Sequence, residues 1–258
     1  MGHGRKVIAV LPAYNAARTV AKTVHDIPPG TVDEIILVDD ASSDNTADIA
    51  RQLGLTVVVH ERNRGYGANQ KTCYDEALKR GATIVIMIHP DYQYDSRLVP
   101  FIIGFIERGV CDIVLGSRIR TRRETLEGGM PPYKYFANRI LTLFENMCLG
   151  LNLSEFHTGY RAYSRQVLET VPNYRNSDGF VFDTEFLVQA VLLGFRIGEV
   201  PVPCRYAADS STTSFSQSLM YGFGTIWTVV KSLIHRTGLK TFPLFATAGP
   251  TKSDERAL

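Results

Sequence analysis

Short apolar, β-branched runs alternate along this chain with longer stretches whose apolar residues recur at helical spacing. Five such runs stand out: "KVIAVLPAYN", "DEIILVDD", "LTVVVHE", "TIVIMIHPD" and "DIVLGSR". Each is almost continuously hydrophobic, as strands covered on both faces are. Their order predicts a parallel sheet with helices on both sides, an arrangement in which ligands sit beyond the carboxyl ends of the strands. The polar residues just after these runs are Asn15, Asp39, Asp40, Asn63, Asp91, Gln93 and Arg118. The pattern therefore brings the first candidates for chemistry to one edge of the sheet.

After Arg118 the texture changes. Residues 119–136, "IRTRRETLEGGMPPYKYF", are rich in Arg, Gly and Pro without an apolar period, which predicts a mobile loop that closes over a ligand. Helical patterns follow at 137–150, at 182–194 and in "SLMYGFGTIWTVVKSLIHRTG", whose large apolar residues suit packing on the domain or contact with a membrane interface. The tail 247–258 is expected to be disordered. We expect a single domain over 1–246, with one half at about 5–118 and a second at about 119–236.

Composition changes this picture little. With 258 residues, 45% hydrophobic and 21% charged, and a formal net charge of +2, the chain has the profile of a globular protein able to bury a large core, and nothing in it marks a nucleic-acid partner. Cys73, Cys111, Cys148 and Cys204 are scattered, so neither a zinc knuckle nor a dithiol motif is expected, and a reducing, cytoplasmic setting is. "VIAVL" stops at Pro12, too short for a signal-peptide core. No run approaches the roughly 20 apolar residues of a membrane span, which leaves peripheral contact at the cytoplasmic face as the expected membrane association.

Several residues admit both a structural and a chemical reading. In "VDDASSDNTADIA", Asp44 and Asn45 read as a helix start. Asp39 and Asp40 are adjacent like charges at a strand end, which repel unless a ligand, a cation or a donor network satisfies them. "ERNRGYGANQKT", with Asn63 and Gly67, is a Gly-rich turn opening a helix, yet it lacks the spacing of a dinucleotide fingerprint or a GK[ST] loop. Asp91 and Gln93 supply oxygen donors at alternate positions, which suits a hard cation holding a diphosphate. His89 beside them reads either as a packed imidazole or as a nitrogen ligand.

Taken together, "PAYN", "VDDASSDNT", "NRGYGANQK", the Asp91–Gln93 strand end and "VLGSR" resemble the family 2 glycosyltransferases of GT-A fold, and their order is most similar to polyprenyl-phosphate sugar synthases of the dolichyl-phosphate mannose synthase type. The resemblance covers about residues 5–206. It implies a UDP- or GDP-linked sugar donor bound by Pro12, Ala13, Tyr14, Asn15, Asp39, Asp40, Asn63, Gly67 and Asp91. It also implies Mg²⁺ or Mn²⁺ at Asp91 and Gln93. The family pattern there is Asp-X-Asp-X-Gln, and "HPDYQ" puts His89 at the first position. "EFHTGYR" occupies the place of the family's Asp-X-Thr-Ser-Gly-Phe-Arg, with Glu155 and His157 as candidate bases. Asp91, Arg118, Glu155 and His157 are then the candidate catalytic residues, and Arg118, Arg139, Arg161 and Arg205 the candidates for an acceptor phosphate. The implied activity is inverting transfer to a lipid-linked acceptor, above all a polyprenyl phosphate. Two alternatives stay open: transfer to a hydroxyl of a glycan, a lipid or a small molecule, and, given His89, a nucleotide-sugar-binding protein without catalysis.

Overall fold

Every residue of the first strand, β1 (Val7–Ala13), is buried, because its two faces feed two separate cores. Val7, Ala9 and Leu11 point to one, and Ile8 and Val10 to the other, the period-two alternation of a strand covered on both sides. The computed structural model describes residues 4–206 and 215–246; the expected disordered tail at 247–258 lies outside the described residues.

Beside β1 lie β2 (Glu34–Asp39), β3 (Thr56–Val59), β4 (Ile84–Met87) and β5 (Ile113–Ser117), followed in sequence by β6 (Arg161–Ser164) and β7 (Ile197–Pro201). They form one seven-stranded sheet in the order β3-β2-β1-β4-β6-β5-β7. β1 pairs in parallel with β2 and β4, β2 with β3 and β5 with β7, while β6 runs antiparallel between β4 and β5. The helices α1 (Val20–His25), α2 (Thr46–Gln52) and α4 (Val99–Glu107) supply Val20, Ala50 and Ile102 to the core that holds Val7. The helices α3 (Tyr66–Lys79), α7 (Arg165–Thr170) and α8 (Phe182–Leu192) supply Tyr74, Val167 and Phe186 to the other. This is the expected α/β fold, with a mostly parallel sheet between helical layers.

Two features place the site. Strand order reverses between β2-β1 and β1-β4, so a crevice opens past the ends of β1 and β4. Because β6 is antiparallel, its first residue, Arg161, is level with Met87 and Leu115. The chain entering β6 therefore arrives at the same edge.

One expectation is corrected. Residues 119–136 are not a loop: they contain α5 (Arg122–Glu127) and the start of α6 (Pro132–Leu149). Thr121 accepts from the Glu124 amide at 3.2 Å and donates to its carboxylate at 2.9 Å, the reciprocal helix start that "TRRE" encodes, and Pro132 opens α6 where its missing N–H costs nothing. Ile119, Met130 and Tyr135 bury together as a small core. The last helix, α9 (Phe215–Arg236), packs on α6 and α8.

Candidate active site

The loops after β1 and β2 are tied to each other. Asn15, in a left-handed conformation (φ 50°), accepts from the Ser43 amide at 2.9 Å, and its own amide donates to the Ser42 hydroxyl at 2.8 Å. Asp39 accepts from the amide of Ser42 at 3.1 Å and from its hydroxyl. Asp40 accepts from His60 Nδ1 at 2.7 Å, Arg64 N at 2.8 Å and Gly65 N at 2.9 Å. The adjacent carboxylates are thus tolerated because the protein's own donors face them. Three of the roughly four acceptor sites of Asp40 are engaged in fixing the turn before α3. Pro12 and Ala13 are buried strand residues, and Tyr14 stands out into solvent at the crevice.

The glycines of "RGYGAN" serve packing. Gly67 N donates to Asp178 O at 2.8 Å, and a side chain at Gly67 would meet Ser177 O at 2.4 Å. The Gly67 amide is therefore turned to the 176–182 segment rather than to a phosphate. Exposed Asn63 accepts from Gly65 N at 3.1 Å.

At the end of β4 the resemblance to a metal site can be weighed against the side chains present. Burial, the largest influence, pushes the Asp91 carboxyl above the ordinary carboxylate range, and the amide of Gln93 donates to it at 3.1 Å. A largely desolvated carboxylate of this kind is what a divalent cation would neutralise. Burial likewise pushes His89 below its ordinary value, so the ring is neutral at pH 7. Its Nε2 lies 3.1 Å from Tyr66 Oη, which donates its single proton to Asp183 Oδ2 at 2.8 Å. His89 must therefore carry its proton on Nε2, leaving Nδ1 as the acceptor of the ring. Among the described residues there is no group of three or more His, Cys, Asp or Glu side chains able to hold a metal. The donor set here, Asp91 with Gln93 and the His89 ring beside them, fits an ion that draws its remaining ligands from a diphosphate.

Beyond β5, Arg118 and Glu155 form a buried pair. Arg118 donates from its amide to Glu155 Oε2 at 2.7 Å and from Nε to Oε1 at 2.9 Å, and its Nη2 also contacts Oε1. Asn138 adds a donor to Oε1 at 2.8 Å. Burial alone would raise Glu155, but the charge and hydrogen bonds of Arg118 outweigh it and hold the carboxyl below its ordinary value. Glu155 is 0% exposed. Where the sequence expectation has a candidate base, the structure encloses the carboxylate and engages it with Arg118 and Asn138. His157 is committed too: Nδ1 lies 2.7 Å from Tyr221 Oη, and Nε2 lies 3.1 Å from buried Glu145, outside hydrogen-bond alignment.

The four arginines divide. Arg161 is fully buried, donating to Thr158 O at 2.6 Å and Phe156 O at 2.9 Å and paired with Asp183 at 3.4 Å. It holds the turn into β6 and has no surface with which to meet an acceptor, a second correction. Arg139 donates to Ser154 O at 2.5 Å. Arg118, besides Glu155, donates to His157 O at 2.6 Å and Tyr206 Oη at 3.0 Å. Arg205 is exposed, its guanidinium 5.4 Å from the centre of the Tyr92 ring. A cavity of about 320 Å³ opens beside Arg118, between α5 and the segment that follows β7.

Sequence reasoning passed over His60, Tyr66 and Lys134. His60 ends the third apolar run and Tyr66 sits in the Gly-rich turn, but their partners, Asp40 and Asp183, meet them only in the fold. Lys134 sat in the supposed loop. Burial and then the charge of Arg118 push its ammonium below the ordinary value, so two cations converge on this corner.

Residues 8–171 match the family model for Glycosyl transferase family 2. The chain belongs to that family. It is a glycosyltransferase of the hexosyltransferase class, and its curated relatives include enzymes of polyprenyl-phosphate chemistry. UDP-N-acetylglucosamine–dolichyl-phosphate N-acetylglucosaminyltransferase of Methanococcus voltae is 26% identical over 234 residues, covering 84% of this chain and 92% of that protein. Polyprenol monophosphomannose synthase of Mycolicibacterium smegmatis is 26% identical, covering 77% of each. In three dimensions the family 2 fold matches glucosyl-3-phosphoglycerate synthase of Mycobacterium tuberculosis, crystallised with Mg²⁺ and uridine diphosphate, at a TM-score of 0.68 and 21% identity over 89% of this chain and 80% of that one. The GT-A expectation is thereby met.

Proposed function

We propose that this glycosyltransferase moves a sugar, with inversion, from a UDP- or GDP-linked donor to a lipid phosphate of the polyprenyl type. One observation carries the reading: Glu155 and His157, the side chains suited to deprotonate a hydroxyl, are locked in internal contacts. A hydroxyl acceptor needs a base at the attacking oxygen. A phosphate acceptor is already anionic and needs cations instead, and Arg118, Lys134 and Arg205 are cations of this corner. The names of the relatives support the same acceptor class.

In this reading the half of the domain up to Arg118 holds the donor and the half over 119–236 holds the acceptor. Tyr14, Asn15 and Asp39 face the nucleoside, with Asp40 fixing the turn behind them. Asp91 and Gln93 would hold Mg²⁺ or Mn²⁺, which supplies charge stabilisation to the departing diphosphate. An oxygen of the acceptor phosphate attacks the anomeric carbon on the face opposite the diphosphate; its lone pair forms the new C–O bond as the bond to the diphosphate breaks, and the departing diphosphate oxygen keeps the electron pair of the broken bond. Among the described residues no helix is long and apolar enough to cross a membrane, and the four cysteines are free thiols, which suits work at the cytoplasmic face.

The test is product analysis by mass spectrometry with UDP- and GDP-sugars, Mg²⁺ or Mn²⁺, and a short polyprenyl phosphate. The expected product is a sugar linked through phosphate to the lipid. Transfer to a hydroxyl compound in its place, with none to the phosphate, would overturn the reading.

A further inference from the structure

α6 and α9 bury polar side chains and show apolar ones to solvent. On the protein side, α6 buries Asn138, Thr142 and Glu145 beside Tyr135 and Leu149, and α9 buries Thr225, Thr228 and Ser232 beside Val229. On the solvent side, α6 shows Tyr133, Phe136, Ile140, Leu143 and Met147, from 48% exposed at Tyr133 to 77% at Met147. α9 adds Leu219, Met220, Phe223, Ile226 and Trp227, all at least 40% exposed. The exposed positions of α6 are all apolar, as are those of α9 between Leu219 and Val230. A water-facing helix has the opposite distribution. Single exposed apolar residues are ordinary, but two packed helices that share such a face mark a surface made to be covered.

We infer that this joint α6–α9 face docks on an anionic lipid surface. Charge selects lipid: the two helices carry exposed Arg236 and half-buried Lys134, Arg139 and Lys231 against a single acid, Glu145, which is buried. Basic residues around an apolar, aromatic face suit anionic headgroups above an acyl layer. Position agrees with charge. Arg139 of α6 bonds Ser154 O, next to Glu155, and Lys134 lies in the field of Arg118, so the face adjoins the acceptor corner. The choice of lipid over a second copy of the chain rests in part on the lipid-phosphate reading, and the surface itself goes beyond it. α9 alone was singled out by sequence; the stripe on α6 shows only once its buried side is known.

Trp227 is the sole tryptophan of the chain and lies on this face, so its emission reports docking directly. The full chain is mixed with vesicles of phosphatidylcholine, with and without phosphatidylglycerol, both free of polyprenyl phosphate. Co-sedimentation with the anionic vesicles is expected, with a blue shift of Trp227 emission and quenching by lipids brominated on the acyl chain. The double variant Ile140→Glu, Met220→Glu should bind these vesicles on the order of tenfold more weakly or worse. Phe101→Glu, at an exposed position of α4, should bind as the native chain does. Unchanged Trp227 emission with anionic vesicles overturns the inference. So does a stable dimer in sedimentation velocity whose tryptophan is already shielded and which ignores vesicles. Vesicle binding without transfer to a polyprenyl phosphate would remove the acceptor reading and leave docking standing, whereas transfer to a short soluble acceptor without vesicle binding would do the reverse.

Discussion

Asp91 and Glu155 are both shielded carboxylates, and their environments send them in opposite directions. Asp91 is raised, mainly by burial, so its ionised form is a cost to the fold: the stability it contributes is complete below its unfolded pKa and is lost as pH rises through the folded value. Asp91→Asn should therefore unfold no earlier than the native chain at neutral pH in the presence of a chelator, with the difference vanishing in acid. Turnover should fall by about 100-fold or more, since several kcal/mol of leaving-group stabilisation is lost. Thermal melts at several pH values and single-turnover assays check both halves. Glu155 is lowered, the charge of Arg118 overcoming burial, so it stabilises above its unfolded pKa and ceases to as pH falls through the folded one. Glu155→Gln leaves the Arg118 charge without its partner and should lose about 3 kcal/mol in denaturant titrations at pH 7. A variant of native stability with turnover alone abolished would restore Glu155 as a base.

At the scale of elements, the antiparallel β6 decides what reaches the site. It turns "EFHTGYR" toward the ends of β4 and β5, where Gly159 N donates to Tyr94 Oη at 2.9 Å. A side chain at Gly159 would lie 2.2 Å from His89 Cδ2. The glycine thus makes room for the imidazole that stands in the family's acidic position. α3 is seated in a similar way through Gly67 against Ser177 and Phe182. Gly67→Ala should destabilise the protein by about 1–3 kcal/mol through this overpacking, measured by chemical denaturation. Native stability would mean that the 176–182 segment yields freely. β6 was not legible beforehand, since four residues with one apolar pair carry little period, and its direction depends on neighbours far away in sequence. α5 was legible in principle, through its Thr121–Glu124 start, but the surrounding Gly and Pro residues masked it.

For the whole molecule, the proposal divides the labour between a donor half and an acceptor half that meet at Arg118. Removing Lys134 and Arg205 together should then raise KM for the lipid phosphate by about tenfold or more, the worth of charge-assisted contacts, while calorimetric binding of UDP or GDP stays as it was. Equal losses of donor and acceptor affinity would refute that division. Docking of α6 and α9 on anionic vesicles should in turn weaken with salt, as a contact with a cationic rim must.

The sequence by itself determined the sheet's first five strands, their shared edge and the family, because strand burial and strand-end polarity are local patterns that no tertiary contact has to supply. It named Asp91 and Gln93 for the same reason. What Arg161, Glu155, His157 and Gly67 do was decided by tertiary structure, since a charged or small residue reads alike in sequence whether it faces a ligand or a buried partner. The inverted polarity of α6 and α9 belongs to that second class. Apolar periodicity says that a helix has two faces, and only packing decides which of them meets the protein.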